Sequence, residues 1–364
     1  MDRYRSVRVT SIPKKTKYYS SSAIVPVNSK QQYQDSTHIQ SPSHITPLTM
    51  SHNAFELPSI TMSTIRLTTA TNPMLRWNST GIIIAGIGGS PGSNASQFQT
   101  PVDIALGSSN TFYIIDYLNH RVQYWKIGNL SGTTVAGQAS ASAGTTAAYL
   151  SYPTGLYVDS NDNIYVSDSG IAGSANNQRR KPYGIVQDPS TKTLYIADYN
   201  NHRVMSYTEG ASMGTMVAGS NRSGTSNIEL YNPVGIYLDS FTNSLVIANF
   251  GAHNIVRWVL GASSWTLVAG NITGSSGNSS TTLYSPTGVT LDPMGNVYVA
   301  DALNSRIQFF MSGQSEGTTI VGITNTSGSS STQLSVPYTV RLDSQLNLYV
   351  VDMGYNRILK FLRY

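Results

Sequence analysis

The sequence lacks cysteine, is poor in charged residues and has no long hydrophobic run. Without a single cysteine among its 364 residues, it cannot form disulfides, thiolate metal sites or cysteine nucleophiles. No apolar run approaches the roughly 20 residues of a membrane helix, and no stretch near the N-terminus resembles a signal peptide. We therefore expect a soluble chain without a membrane span, while the sequence leaves its compartment open.

Glycine and tyrosine are abundant, with 31 and 23 residues, and only 11% of residues are charged. This composition is typical of strands and turns. The net charge of +5 lies entirely within residues 1–70, because residues 71–364 hold 15 basic and 15 acidic side chains. The larger part of the chain therefore has no net attraction for a polyanion.

A repeat of about 50 residues runs along the chain. Each copy opens at a proline and continues with an alternating strand, a turn, and a second strand that usually ends in Asp. A third strand and a fourth ending near Val-Ala-Gly follow in most copies, so the pattern predicts four short strands per repeat. Such repeats must stack to bury their faces, and radial stacking gives a propeller. The opening prolines are Pro101, Pro153, Pro182, Pro233, Pro286 and Pro337.

The third strand of most repeats begins with a recurrent motif. It stands as Asn119-His120-Arg121-Val122, Asn201-His202-Arg203-Val204, Ala252-His253-Asn254-Ile255, Asn304-Ser305-Arg306-Ile307 and Tyr355-Asn356-Arg357-Ile358. This motif resembles that of the NHL-repeat family, whose six-bladed propellers carry an Asn-His-Leu-like sequence in each blade. The resemblance implies an all-β, six-bladed NHL-type β-propeller over residues 71–364.

The last repeat ends after its third strand, at the C-terminal Tyr364. A strand with the missing Ala-Gly ending stands at Gly81–Gly86. We predict that this N-terminal strand completes the last blade and closes the ring, because closure removes a sheet edge.

The second repeat is short. Only 29 residues separate Pro153 from Pro182, whereas the other intervals are 51 to 53 residues. About 22 residues, the third and fourth strands, are missing after Asp168, which predicts a truncated second blade. A natural variant and a gene-model artefact both explain this gap. Residues 1–70, rich in Ser, Thr and Pro and basic, are predicted to be a disordered tail, and whether that tail is genuine stays open.

Asp and Arg recur five positions apart in four repeats. We predict structural ion pairs across the turn between the second and third strands, because in the fourth repeat Asn249 and Asn254 replace both partners together. Catalytic residues would be concentrated in one blade instead. The predicted pairs are Asp116 with Arg121, Asp198 with Arg203, Asp301 with Arg306, and Asp352 with Arg357.

No catalytic or metal-binding set stands out. His120, His202 and His253 share one repeat position and point in different directions, so they cannot bind one metal ion. We predict no catalytic residue, no metal, no cofactor and no enzyme activity. Some relatives in the family are metal-dependent lyases or lactonase-like enzymes, which leaves that function as the least favoured alternative.

The resemblance implies a binding scaffold that contacts a protein or ligand through one face of the ring. Among the residues that follow the prolines, Tyr183 and Tyr338 are the best contact candidates, and packing along the inner strands is the alternative. RNA binding is a second alternative, with Arg179, Arg180 and Lys181 as its one basic cluster, but the neutral propeller does not favour it. We expect a monomer with an unidentified protein partner.

Overall fold

The computed structural model describes residues 75–364 except for Ser109, Ala147, residues 171–180 and Ser212. The predicted disordered tail and its boundary at residue 70 lie outside these residues. Every sheet of the described chain is antiparallel. Its helical segments are 3₁₀ turns of three residues each, at Tyr117–Asn119, Tyr199–Asn201, Phe250–Ala252, Ala302–Asn304 and Met353–Tyr355.

The strands form one sheet per repeat, and we number these sheets as blades in chain order. The first strand of the described residues is β1 (Ile82–Ala85). Blade 1 consists of β2 (Pro101–Leu106), β3 (Thr111–Asp116), β4 (Arg121–Lys126) and β5 (Thr133–Gly137). Blade 2, as described, consists of β6 (Pro153–Val158) and β7 (Ile164–Asp168). Blade 3 consists of β8 (Pro182–Gln187), β9 (Leu194–Asp198), β10 (Arg203–Tyr207) and β11 (Thr215–Gly219).

The second half of the chain repeats the pattern. Blade 4 consists of β12 (Pro233–Asp239), β13 (Ser244–Asn249), β14 (Asn254–Val259) and β15 (Thr266–Gly270). Blade 5 consists of β16 (Pro286–Leu291), β17 (Val297–Asp301), β18 (Arg306–Phe310) and β19 (Gly317–Gly322). Blade 6 consists of β20 (Pro337–Leu342), β21 (Leu348–Asp352) and β22 (Arg357–Phe361), with β1 as its fourth strand.

The first strand of each blade lies on the inside of a ring. Each of these inner strands packs against the inner strand of the next blade, and β20 packs against β2. The chain is therefore an all-β propeller, with five four-stranded blades and one two-stranded sheet at the second place of the ring. The predicted propeller class is confirmed.

The N-terminal strand closes the ring. Strand β1 pairs with β22, with Ile82 opposite Lys360, which confirms the predicted closure. Trp77 precedes this strand and is only 6% exposed. Its indole N–H donates a hydrogen bond of 2.7 Å to the Leu346 carbonyl, so blade 6 also holds the segment that leads into β1.

The core lies between neighbouring blades. Tyr298 and Ile307 of blade 5 pack against Val350 and Leu359 of blade 6, and all four side chains are fully buried. Alternating residues of each strand face opposite sides of the sheet, so every blade contributes to the interfaces on both of its sides. A blade therefore depends on its neighbours to bury its apolar residues.

Glycine allows the inner strands to approach each other closely. A side chain at Gly235 would place its Cβ 2.5 Å from the Thr287 carbonyl oxygen, well inside van der Waals contact. The corresponding residues of blades 1 and 6 are Asp103 and Thr339, and their side chains reach across to the neighbouring blade instead.

Candidate functional site

One end of the ring collects the starts of the inner strands and the ends of the second strands. Pro101 lies opposite Asp116 in blade 1, and the same pairing of strand ends recurs in every blade. The 3₁₀ turns and the loops between blades lie at this end, which we call the upper end. Such loops, carried on a rigid scaffold, are where propellers and other folds place recognition residues.

The residues that follow the opening prolines line the mouth of the central channel. They surround a narrow cavity of about 20 Å³, which is about the space that one water molecule needs. This cavity is too small for an organic ligand, so a ligand that binds at it would lie on the surface of the upper end. These residues are Val102, Thr154, Tyr183, Val234, Thr287 and Tyr338.

The two tyrosines of this set meet across the channel. Tyr183 belongs to blade 3 and Tyr338 to blade 6, on opposite sides of the ring, and both side chains line the same cavity at the channel mouth, close enough to interact with each other. Burial raises the pKa of Tyr183 to about 12, and burial also raises the pKa of Tyr338 well above its usual value. Both hydroxyls therefore stay protonated and act as neutral hydrogen-bonding groups.

Further aromatic residues surround this pair. The ring centroids of Tyr183 and Tyr199 are 4.9 Å apart, those of Tyr199 and Phe250 are 6.1 Å apart, and Tyr117 lies near both channel tyrosines. All five side chains are half-buried. We call the surface formed by Tyr117, Tyr183, Tyr199, Phe250 and Tyr338 the tyrosine face.

The 3₁₀ turns explain how the outer members of the tyrosine face are positioned. Tyr117, Tyr199 and Phe250 each open such a turn directly after the last residue of a second strand. The strand end and the turn fix the backbone and therefore the point from which each of these side chains extends. We did not single out these three residues from the sequence, although an aromatic residue directly after the strand-ending Asp or Asn was a visible signal.

An ion pair closes the lower side of the channel mouth. Arg341 donates from Nη2 to Asp103 Oδ1 over 3.0 Å, and the other carboxylate oxygen accepts the Leu156 backbone N–H at 2.9 Å. Burial raises the pKa of Asp103, and the Arg341 guanidinium opposes that rise. Asp103 thereby connects blades 6, 1 and 2. The sequence signalled this residue only by its position, where four of the other repeats have glycine.

The recurrent Asp and Arg side chains lie next to each other in all four blades where both occur. The distances between Arg Nε and Asp Oδ2 are 2.7 to 2.9 Å, and every one of these side chains is buried. In blade 4, Asn249 Nδ2 donates to Asn254 Oδ1 over 3.1 Å, so a neutral pair takes the same place. The two Nη atoms of Arg306, which lie outside the ion pair, donate hydrogen bonds to carbonyls of the preceding loop, such as that of Thr282 at 3.0 Å.

The recurrent histidines connect neighbouring blades. The Nδ1 atom of His120 accepts the Tyr152 backbone N–H at 3.1 Å. His202 and His253 accept backbone N–H groups of the next blade in the same way, at 3.2 and 3.1 Å. An accepting Nδ1 requires the neutral ring, and burial lowers the pKa of all three histidines. Their positions on three separate blades do not bring them together.

Of the basic cluster, Lys181 is exposed, and Arg179 and Arg180 lie outside the described residues. No group of three or more His, Asp or Glu side chains that could hold a metal ion occurs in the described part of the chain. No helix in that part is long and apolar enough to cross a membrane.

Comparison with known proteins identifies the repeat. The family model described as the NHL repeat matches residues 150–171 and 283–310, which cover the two-stranded sheet and the first three strands of blade 5. The chain is a β-propeller with NHL repeats. No curated protein matches the sequence.

Solved structures share the propeller fold at low sequence identity. A protein of unknown function from Bacteroides thetaiotaomicron is 16% identical, with a TM-score of 0.58, over 78% of this chain and 76% of that one. An auxiliary nutrient binding protein from Bacteroides ovatus is 13% identical, with a TM-score of 0.57, over 80% and 77%. A gluconolactonase from Xanthomonas campestris is 13% identical, with a TM-score of 0.53, over 74% and 88%.

Proposed function

We propose that this NHL propeller is a non-enzymatic binding scaffold whose tyrosine face holds a segment of a protein partner. The observation that carries the proposal is the convergence of Tyr117, Tyr183, Tyr199 and Tyr338 at the channel mouth. Tyrosine is enriched at protein interfaces because one side chain offers a large apolar contact area and a polar tip.

The shape of the site favours a macromolecular segment over a small molecule. The cavity at the channel mouth has space for about one water molecule, so a partner that binds there would contact the surface around it. Further out on the same end, Tyr152, Tyr231 and Tyr284 are each about 40% exposed. These residues extend the aromatic surface and give a partner more to contact than the channel mouth alone.

The charge balance supports a protein rather than RNA. Residues 71–364 carry equal numbers of basic and acidic side chains, and nucleic-acid affinity comes largely from basic contacts to phosphate. The low-identity neighbours include both a nutrient-binding protein and a lactonase, so they favour neither binding nor catalysis for this chain.

The proposal also includes the number of blades, which we infer to be six. We infer that the sheet of β6 and β7 is the inner half of a sixth blade, since it shares its inner-strand contacts and its Pro153–Asp168 pairing with the complete blades.

The test is a selection from a displayed library of random peptides on the immobilised chain, at 0.15 and 1 M salt. We expect binders that tolerate high salt, because aromatic contacts are not screened, and that lose at least about tenfold in affinity in Tyr199→Ala. Leu130→Ala is the control, since Leu130 is 91% exposed and lies between β4 and β5, at the end of the ring away from the tyrosine face. Peptides that are insensitive to Tyr199→Ala, or no binders at all, overturn the proposal.

Two further measurements test the alternatives. Binding of a single-stranded RNA that falls steeply with salt and is abolished by replacing Arg179, Arg180 and Lys181 with alanine would support the RNA-binding function instead. Hydrolysis of a simple δ-lactone by the chain with an added divalent cation would contradict the non-enzymatic assignment.

A further inference from the structure

The outer edge of the two-stranded sheet is the most unusual surface of the ring. Within the described residues, β7 pairs only with β6, whereas the second strand of every other blade also pairs with a third strand. An uncovered strand edge is a ready site for another strand. We propose that residues 4–25 of the same chain occupy this place and supply the third and fourth strands of blade 2.

The sequence of this segment repeats the pattern of the other third strands. Tyr4-Arg5-Ser6-Val7-Arg8-Val9-Thr10-Ser11-Ile12 matches Tyr199-Asn200-Asn201-His202-Arg203-Val204-Met205-Ser206-Tyr207 in its Tyr, Arg, Val and Ser positions. In both stretches the tyrosine stands four residues before the arginine, as Tyr117 does before Arg121. The segment therefore carries the start of an NHL-type third strand, outside the part of the sequence where the other repeats are found.

A fourth-strand sequence follows, although its end lies two residues further along than in the other repeats: Arg8 and Pro26 are 18 residues apart, whereas Arg306 and Gly322 are 16 residues apart. A longer turn between the two strands accommodates this difference. Ser21-Ser22-Ala23-Ile24-Val25 corresponds to β19, whose sequence is Gly317-Thr318-Thr319-Ile320-Val321-Gly322. Pro26 stands where the other repeats have glycine, so we expect the strand to end at Val25. From Tyr4 to Val25 the segment has 22 residues, which matches the length that the second repeat lacks.

Burial on the neighbouring blade points to the same place. In blade 3, Met205 and Tyr207 face blade 2 and are only 7% and 8% exposed. The equivalent aromatic residue of blade 5, Phe310, is covered by residues that include Ile255 and Ala269, from the third and fourth strands of blade 4. In the proposed arrangement Val9 holds the place of Ile255 and covers blade 3.

The residues between the segment and the ring are long enough to let the segment reach the edge of β7. Residues 26–74 separate the segment from the first described residue, and 49 residues span up to about 160 Å when extended. The register follows from blade 3, where Arg203 lies opposite Asp198 and Ser206 opposite Tyr195. It places Arg8 opposite Asp168 and Ser11 opposite Tyr165.

The absence of cysteine makes a crosslinking test clean. In the full chain, Ser11→Cys with Tyr165→Cys should form an intrachain disulfide under mild oxidation, because directly opposed residues bring their Cβ atoms within bridging distance. Tyr195→Cys with Ser206→Cys is the matched positive control in blade 3. Ser11→Cys with Tyr195→Cys is the negative control, since β10 already occupies that edge. Peptide mapping without reduction identifies the linked residues.

The outcomes separate the possible occupants. A Ser11–Tyr165 crosslink within one chain, as complete as the positive control, supports the proposal. No such crosslink when the positive control forms overturns it, and so does a crosslink that joins two copies, which would assign the edge to a second chain. Hydrogen exchange of the unmodified chain gives an independent readout. We expect slow exchange of residues 8–12, comparable to β18, and exchange at the rate of an unstructured peptide contradicts the proposal.

Discussion

Single residues act in this propeller mainly as links between neighbouring elements. Asn356 shows this most clearly, because its Oδ1 accepts the Thr100 backbone N–H at 2.8 Å, the same kind of contact to the next blade that His120 makes through Nδ1. Both residues have positive φ, 54° and 52°, a backbone conformation that Asn tolerates well. The same repeat position therefore holds a titratable acceptor, His120, in blade 1 and a non-titratable acceptor, Asn356, in blade 6.

This equivalence predicts a pH dependence carried by the histidines. Because burial lowers the pKa of His120, His202 and His253 below 6.5, the unfolded chain binds more protons just below that pH. The contribution of these histidines to the free energy of unfolding should fall as the pH drops below about 6.5 and level off below their folded pKa. We expect the thermal midpoint to fall less between pH 7.5 and 5 when all three histidines are replaced by Asn than it does in the natural chain. An equal loss in both chains would show that the histidines do not titrate in this way.

The buried ion pairs predict strong coupling between their partners. Asp301→Asn alone leaves the buried Arg306 charge uncompensated and should cost about 3–5 kcal/mol. Asp301→Asn with Arg306→Asn recreates the neutral pair of Asn249 and Asn254 and should cost less than the single change. Denaturant unfolding of the two single variants and the double variant measures this coupling. Additive losses would mean that the two side chains act independently.

At the scale of elements, ring closure depends on a short strand and on the segment before it. Strand β1 has four residues, and Ile82 and Ile83 are about half exposed, so the strand itself contributes little apolar burial. The burial comes instead from Ala85 and from Trp77, whose ring packs edge-on against Tyr298 at 5.5 Å. The closure is therefore held by residues on both sides of the exposed isoleucines.

We predict that Trp77→Ala weakens closure by about 3–5 kcal/mol, the usual cost of removing a buried tryptophan. Ile82→Ala is the matched control, and at 51% exposure it should change stability by about 0.5 kcal/mol or less. Denaturant unfolding gives the free energies. Similar effects of both variants would show that Trp77 does not anchor the segment.

At the scale of the whole molecule, stability depends on a ring in which every blade packs against two others. A blade with only two strands would offer its neighbours less apolar surface than a complete one. If residues 4–25 complete blade 2, the order of strands along the chain differs from their order in space, and closing the connection between them costs conformational entropy.

Moving residues 3–26 to another place in the chain tests whether they contribute to the stability of the ring. Removing residues 3–26 should lower the thermal midpoint, whereas placing them between Gly170 and Ile171 should restore it or raise it above that of the natural chain. The loop that the third strand must close becomes shorter, so less entropy is lost on folding. A deletion without effect on the midpoint would show that the segment does not contribute to the ring.

The order of the strands, the propeller and its closure could all be predicted from the sequence. They depend on local signals that recur, namely period-two alternation, opening prolines and the motif around residues such as His120. Repetition makes each weak signal strong, because the same residues return at the same distance. The pairing of Asp and Arg was visible for the same reason, through the joint change to Asn249 and Asn254.

The tyrosine face and the Asp103–Arg341 contact could not be predicted in full. Their members lie far apart along the chain, on different blades, and become neighbours only when the ring closes around its axis. Tyr183 and Tyr338 could be proposed one by one, but their meeting across the channel depends on the number and order of the blades. The sequence thus determined what each blade is, through local and repeated patterns, and the tertiary structure alone decided which blades face each other and where their side chains converge.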